Sequence, residues 1–187
     1  MDDGREIKRQ LFHIIIGICA LAVLLIWGRG ILMGVTFFIL IIGLLLINQA
    51  YLGRRIGPVD WFIKNFERED VRFPGWGSAC YATGVLLFSA FLNNQAEIAA
   101  AIIIIGIGDG LSTLIGRKFG KIKLPYNSNK TVEGSLALFA VSLLGWFFIG
   151  PEIIPAAIIA AIIEGLPIPI DDNLSIPVAL VLFFMVL

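Results

Sequence analysis

Polar and apolar positions along this chain fall into long solid blocks. Leu11 to Trp27 holds one strongly polar side chain, His13, and Ile31 to Ile47 holds only Thr36. About 20 consecutive apolar residues cross a bilayer core, so these blocks predict membrane spans. The pattern predicts about seven, running roughly Leu11–Gly28, Ile31–Tyr51, Ser78–Leu92, Ala96–Ile115, Val132–Ile149, Ile153–Leu166 and Leu174–Leu187. All are read as helices, because a closed barrel alternates over segments of about ten residues. Pro151 and Pro155 flank the short sixth span and predict a tilt or kink there. Arg5, Lys8 and Arg9 before an apolar block resemble a signal peptide. That block is too long, lacks a small-residue cleavage site and runs straight into a second span. The expected fold class is all-α, a polytopic membrane bundle forming one domain over residues 1–187.

Between the blocks, one segment has helical periodicity of its own. Pro58 suits a first helical position, and Val59, Phe62, Ile63 and Phe66 follow at i, i+3, i+4 and i+7. The expectation is an amphipathic helix over 58–70, lying in the membrane interface or packed on the bundle, where it could cover a site. Charge then orients the whole. With the N-terminus in the cytoplasm, every Lys and Arg except Arg29 lies on the inner side, as the positive-inside rule requires. The other face carries only short turns, so nearly all the polar chemistry belongs to the cytoplasmic side of a multi-pass cell-membrane protein.

Composition sharpens this picture. The chain is 58% hydrophobic and 15% charged, with 14 Lys and Arg against 14 Asp and Glu. Zero net charge disfavours a nucleic-acid partner, and two Cys, Cys19 and Cys80, provide neither metal spacing nor a disulfide framework.

Against that background the acids stand out. Asp109 lies in Gly106-Ile-Gly-Asp-Gly-Leu-Ser-Thr-Leu-Ile-Gly116, and a carboxylate at mid-span costs about 2.5–3.5 kcal/mol. It should therefore face a polar cavity or a partner; an interhelical salt bridge would also satisfy it. Asp109, Thr113, Gly116 and Gly120 share one helical face. Lys130-Thr-Val-Glu-Gly-Ser135 opens the next span. Lys130 and Thr131 at a helix start suit a phosphate, although Thr131 also suits a simple cap, and Glu133 would be a second acid just inside the bilayer. Asp171-Asp172-Asn173 follows Glu164 and the Pro167/Pro169 punctuation. Adjacent carboxylates favour a cation, and oxygen-only donors favour Mg²⁺, while a solvated turn is the plain alternative. Glu6, Arg9, His13 and Gly17 form one stripe, suited to a phosphate or substrate contact or to a hydrogen-bonded His anchor. The P-loop pattern fails: Gly116 to Gly120 encloses three residues rather than four, and Ile122 replaces Ser or Thr. Acids and bases gathered on one face point to phosphoryl transfer onto an amphiphilic alcohol at the interface.

Taken in order, these motifs resemble the CTP-dependent lipid kinases: dolichol/polyprenol kinase, phytol kinase and the fungal CTP-using diacylglycerol kinase, which are related to membrane CDP-lipid cytidylyltransferases. The resemblance rests on Glu6-x-Lys-Arg9 with His13 and Gly17, and on Glu67-Arg68, Gly75/Gly77, Tyr81 and Gly84. Its most specific parts are Gly108-Asp109 through Gly116 and Gly120, Lys130-Thr131-x-Glu133-Gly134-Ser135, and Glu164 and Asp172-Asn173 with Pro177. It implies CTP as donor, Mg²⁺ as cofactor and a phosphorylated isoprenoid or diacylglycerol as product. Asp109, Glu133 and Asp172 become the metal-ligand or base candidates, with Asp109 or Asp172 as the base. Lys8, Arg9, Lys118, Lys121 and Lys130 would neutralise the triphosphate, and Gly134-Ser135 would shape its pocket. His13, Gly108, Thr113, Gly116, Thr131 and Asn173 complete the expected binding set. Eukaryotic dolichol kinases carry many extra spans, so the lipid does not transfer with the resemblance, and the oligomeric state is open. A CDP-lipid-forming cytidylyltransferase is the main alternative; a transporter or scaffold fits less well, since transporters place polar sites near the midplane.

Overall fold

A computed structural model describes residues 3–66 and 74–187. Among these residues the architecture is all-α apart from one small hairpin. Helix α1 spans Asp3–Tyr51 and breaks at Gly28 (φ 81°, ψ 176°), a left-handed φ that glycine tolerates without a Cβ penalty. Residues 9–23 and 32–47 line the same cavity. A straight helix would set Arg9 and Ile47 about 57 Å apart, so the chain doubles back at this break. The two halves coincide with the first two expected spans. Arg29 fixes the turn: its guanidinium donates to Ser89 O at 2.7 Å, Ala90 O at 3.2 Å and Asn93 Oδ1 at 2.7 Å. The basic residue that the charge pattern left alone thus satisfies carbonyls at the C-terminal end of a neighbouring helix.

That neighbour is α3 (Trp76–Phe91), reached after α2 (Gly57–Phe66). Helix α2 matches the start of the amphipathic segment expected over 58–70, and Glu67, Arg68 and Arg72 lie outside the described residues. Next come α4 (Gln95–Ile102), a π-helical turn (Ile103–Gly108) and α5 (Asp109–Phe119). Strands β1 (Lys123–Leu124) and β2 (Asn127–Thr131) pair antiparallel and lead into α6 (Val132–Ser142). A short 3₁₀ turn, α7 (Trp146–Ile149) and a second reversal at Gly150 (φ 60°) connect to α8 (Ile153–Gly165), which packs back against α6. Helix α9 (Asp172–Val186) closes the chain against α3 and α8.

Among the described residues, three stretches are long and apolar enough to cross a membrane: Gly4–Tyr51, Gln95–Phe119 and Val132–Gly165; Trp76–Phe91 and Asp172–Val186 are shorter apolar helices. Burial separates their places. Ile98 to Ile105 on α4 and the π turn are buried throughout, whereas Leu25, Ile26, Phe38, Ile39 and Leu45 on α1 are exposed. The α4–α5 helix is therefore the axis of the bundle, packed by Phe88, Leu138, Ile153, Ala156, Ile176 and Leu180. The apolar outer face of α1 is of the kind that lipid covers.

Candidate functional site at the bundle end

Three carboxylates from three elements converge at one end of the bundle. Asp109, Glu164 and Asp172 each offer an oxygen within 4.8 Å of the others. Glu164 sits in the last turn of α8, where the helix dipole opposes negative charge, and it is 2% exposed. Asp172 opens α9, whose N-cap Asp171 accepts from Asn173 N at 3.0 Å. Lys130, delivered by β2, donates to Glu164 Oε1 at 2.5 Å and to Asp172 Oδ2 at 2.7 Å. Ser135 Oγ donates to Glu164 Oε2 at 3.2 Å, and Asn127 Nδ2 ties the hairpin to Gly165 O at 3.1 Å. Burial works against the Lys130 charge, but Asp172, Asp109 and Glu164 outweigh it and raise its pKa above the ordinary lysine range. One ammonium therefore faces three acids. Asp109 Oδ1, fully buried, has no hydrogen-bond partner among the described residues. An all-oxygen donor set with excess negative charge and an unsatisfied ligand atom fits a hard divalent cation.

The π turn sets the position of Asp109. Its backbone N–H bonds to Ile104 O, one residue further back than an α-helix would reach. Ile105 O is thereby released, and His13 Nε2 contacts it at 2.8 Å. A carbonyl only accepts, so Nε2 carries the proton. The same nitrogen is 4.0 Å from Asp109 Oδ2. Close packing makes this possible: a Cβ on Gly17 would lie 2.7 Å from Gly106 Cα and 3.0 Å from the Tyr81 hydroxyl. The His13 and Tyr81 rings meet edge-on at 4.3 Å between centroids.

From this polar end an apolar cavity of about 570 Å³ runs between the two halves of α1, α2 and α3. Arg9, His13 and Asn173 lie on its wall together with Phe12, Ile16, Val23, Leu32, Ile39 and Ile47. Helix α2 forms one side through Val59, Phe62, Ile63 and Phe66, with Phe12 packed 5.3 Å from Phe62 and 4.8 Å from Phe66. The expected amphipathic helix is thus a wall of the cavity, docked on the bundle by its aromatic face.

The chain is 33% identical over 177 residues to an uncharacterized protein of Methanocaldococcus jannaschii, covering 92% of this chain and 89% of that protein. It is 30% identical over 206 residues to phytol kinase 1, chloroplastic, of Arabidopsis thaliana, covering 95% of this chain and 65% of that protein. With the same plant's chloroplastic farnesol kinase it shares 29% identity over 192 residues, 92% of this chain and 62% of the other. Over nearly its whole length, then, the chain is similar to kinases named for phytol and farnesol. It spans slightly less than two thirds of the length of these two plant kinases. No protein-family model matches the chain, and no solved structure matches it.

The residues expected from the sequence separate into those brought to the carboxylates and those placed elsewhere. Asp109, Asp172, Lys130, Ser135 and His13 converge, and Asn173 lies beside them with its Oδ1 unpartnered among the described residues. Glu133 does not join them. Its carboxylate accepts from Lys121 N at 2.9 Å and Ile122 N at 3.3 Å, holding the loop before β1. Residues two apart on a helix lie about 200° around its axis, so with Ser135 turned to Glu164, Glu133 faces the opposite way. The third acid of the cluster is Glu164.

The small residues serve contact between helices. A Cβ on Gly116 would lie 2.9 Å from Thr131 Oγ1, on Gly134 3.1 Å from Ser112 O, and on Gly108 3.2 Å from Ser142 Oγ. Thr131 caps α6 by accepting from Gly134 N at 3.2 Å. Thr113 is half-buried on α5. Arg9 pairs with Glu6 at 2.6 Å while lining the cavity, and Glu6 also reaches Arg117 at 3.9 Å. Lys8, Lys118 and Lys121 are exposed. The signal for Glu164 was in the sequence: like Asp109, it is an acid at the end of an apolar run, Ile153 to Ile163.

Proposed function

We propose that this protein is an integral membrane kinase that transfers the γ-phosphate of CTP to the hydroxyl of an isoprenoid alcohol at the cytoplasmic interface. The observation that carries the reading is the junction itself: the apolar cavity has on its wall His13, 4.0 Å from Asp109, and Asn173, next in sequence to Asp172, so it ends beside the acids and lysine. A lipid tail fits the first, and a phosphate donor with its cation fits the second. Asp109, Glu164 and Asp172 would hold Mg²⁺, which when bound neutralises phosphate charge. Lys130 and Arg9, with exposed Lys118 and Lys121 nearby in sequence, are the cations for the phosphates. His13 stands between the cavity and Asp109, held by its hydrogen bond to Ile105 O.

Between the two base candidates, Asp172 is already held by Lys130, whereas Asp109 offers Oδ1 to the cation and has Oδ2 4.0 Å from His13 on the cavity wall, where the alcohol would lie. Asp109 is therefore the proton acceptor in this reading. The alcohol oxygen forms its bond to the γ-phosphorus, the hydroxyl proton passes to Asp109, and the γ-phosphorus to β–γ bridging oxygen bond breaks to release CDP. The topology that goes with this is seven spans with a cytoplasmic N-terminus, supported by the two tight reversals at Gly28 and Gly150 and by the charge bias.

The test is a transfer assay on protein in nanodiscs, with Mg²⁺, phytol or farnesol, and CTP or ATP labelled at either the α or the γ position. Label from γ-CTP in the lipid phase is expected. Label from α-CTP in lipid would instead make the protein a cytidylyltransferase, and transfer from ATP alone would replace the donor.

A further inference from the structure

The apolar cavity is blind at the end away from His13. Val23 and Leu32, on either side of the Gly28 break, and Val85 on α3 line that end. Behind them Leu24, Phe88 and Leu92 are at most 2% exposed and shut the packing. His13 and Val23 are ten residues apart on one helix, about 15 Å at 1.5 Å per residue. That equals one leaflet, half of a bilayer core of about 30 Å.

Resting on the isoprenoid-alcohol kinase reading above, we propose that Val23, Leu32 and Val85 form a floor that limits an extended substrate tail to about 15 Å. A tail of that length lies extended with its hydroxyl at the His13 end. A long polyprenol must leave most of its chain outside, and the two chains of a diacylglycerol exceed the space.

The test measures kcat/KM for isoprenoid alcohols of about ten, fifteen, twenty and fifty-five carbons with wild type, Val23→Phe and Leu32→Ala; a pocket discriminates about 10–200-fold per methylene-sized misfit. Wild type should lose about tenfold or more on the fifty-five-carbon alcohol relative to the fifteen-carbon one. Val23→Phe should lose about tenfold on the fifteen-carbon alcohol while staying within about twofold on the ten-carbon one, and Leu32→Ala should recover longer tails. Each variant is compared with itself across lengths, so a general loss of folded protein cancels. One length profile shared by all three enzymes overturns the proposal.

A fifteen-carbon alcohol carrying a diazirine at its far end gives an answer that does not depend on turnover. Crosslinks to peptides carrying Val23, Leu32 and Val85 are expected; crosslinks elsewhere overturn the floor. Floor labelling without phosphorylated product would sink the kinase reading and leave the cavity assignment standing. Product with labelling elsewhere would do the reverse.

Discussion

The cavity and the carboxylate site are adjacent, yet they are built by opposite means. The cavity is walled by apolar side chains from elements that are continuous helix, and its shape comes from one glycine break and from packing. The carboxylate site is built where regular structure fails: at a π turn, at the end of α8, at the start of α9 and on a two-stranded hairpin. Helix interiors satisfy their own backbone and leave only side-chain bulk for a tail to meet. Helix ends and irregular turns expose backbone groups and aim acids, so polar chemistry collects there. The two regions touch through His13, which lines the cavity and spans to the carbonyl freed by the π turn.

The largest effect expected from breaking this arrangement is at Asp109. Asp109→Asn should lower phosphate transfer by about 10³-fold or more while the protein elutes as wild type, since it removes the proton acceptor and one charge from the cation site. Transfer near the wild-type rate would place the base elsewhere. Lys130→Met comes next, with a loss of about 10²-fold in kcat and a lower melting temperature, because Glu164 and Asp172 then face each other without their ammonium.

Linkage adds a pH dependence with a definite sign. The folded Lys130 pKa is raised above its unfolded value, so this stabilisation is complete below about pH 10 and is lost only as pH rises through the folded value. A melting temperature that falls between pH 7 and 9 in wild type and not in Lys130→Met would contradict it.

Substitution at the junction should damage both regions together. Gly17→Ala places a methyl 2.7 Å from Gly106 Cα and should cost about 1–3 kcal/mol in thermal unfolding, raising KM for the alcohol as α1 moves off the π turn. The smallest effect belongs to Glu133→Gln, which should cost less than about tenfold in activity, as its carboxylate only holds backbone N–H groups of a loop. A loss as large as that of Asp109→Asn would return Glu133 to the site.

The helices were legible in the sequence because solid apolar blocks admit little else, and Gly28 and Gly150 mark the reversals between them. Asp109 was legible because a lone acid in an apolar run has to be satisfied. The side of α6 that faces the site was not: Lys130, Glu133 and Ser135 are close in sequence, and only the packing of α6 on α8 decides which of them meets Glu164. Glu164 itself was obscured by the prolines after it, which read as loop. The cavity left no trace because α1 is apolar on all sides, so the stripe Phe12, Ile16, Val23 has no contrast with the lipid-facing positions beside it. The π turn follows no rule of residue type visible in Ile103 to Gly108.

The most direct test of the central claim is Mn²⁺ binding, followed by electron paramagnetic resonance, to wild type and Asp109→Asn with a non-hydrolysable CTP analogue present. The carboxylate site described here predicts one tightly bound Mn²⁺ per wild-type chain and at least about tenfold weaker binding in the variant, consistent with loss of a ligand. Equal binding in both proteins would mean that the cation does not sit among Asp109, Glu164 and Asp172.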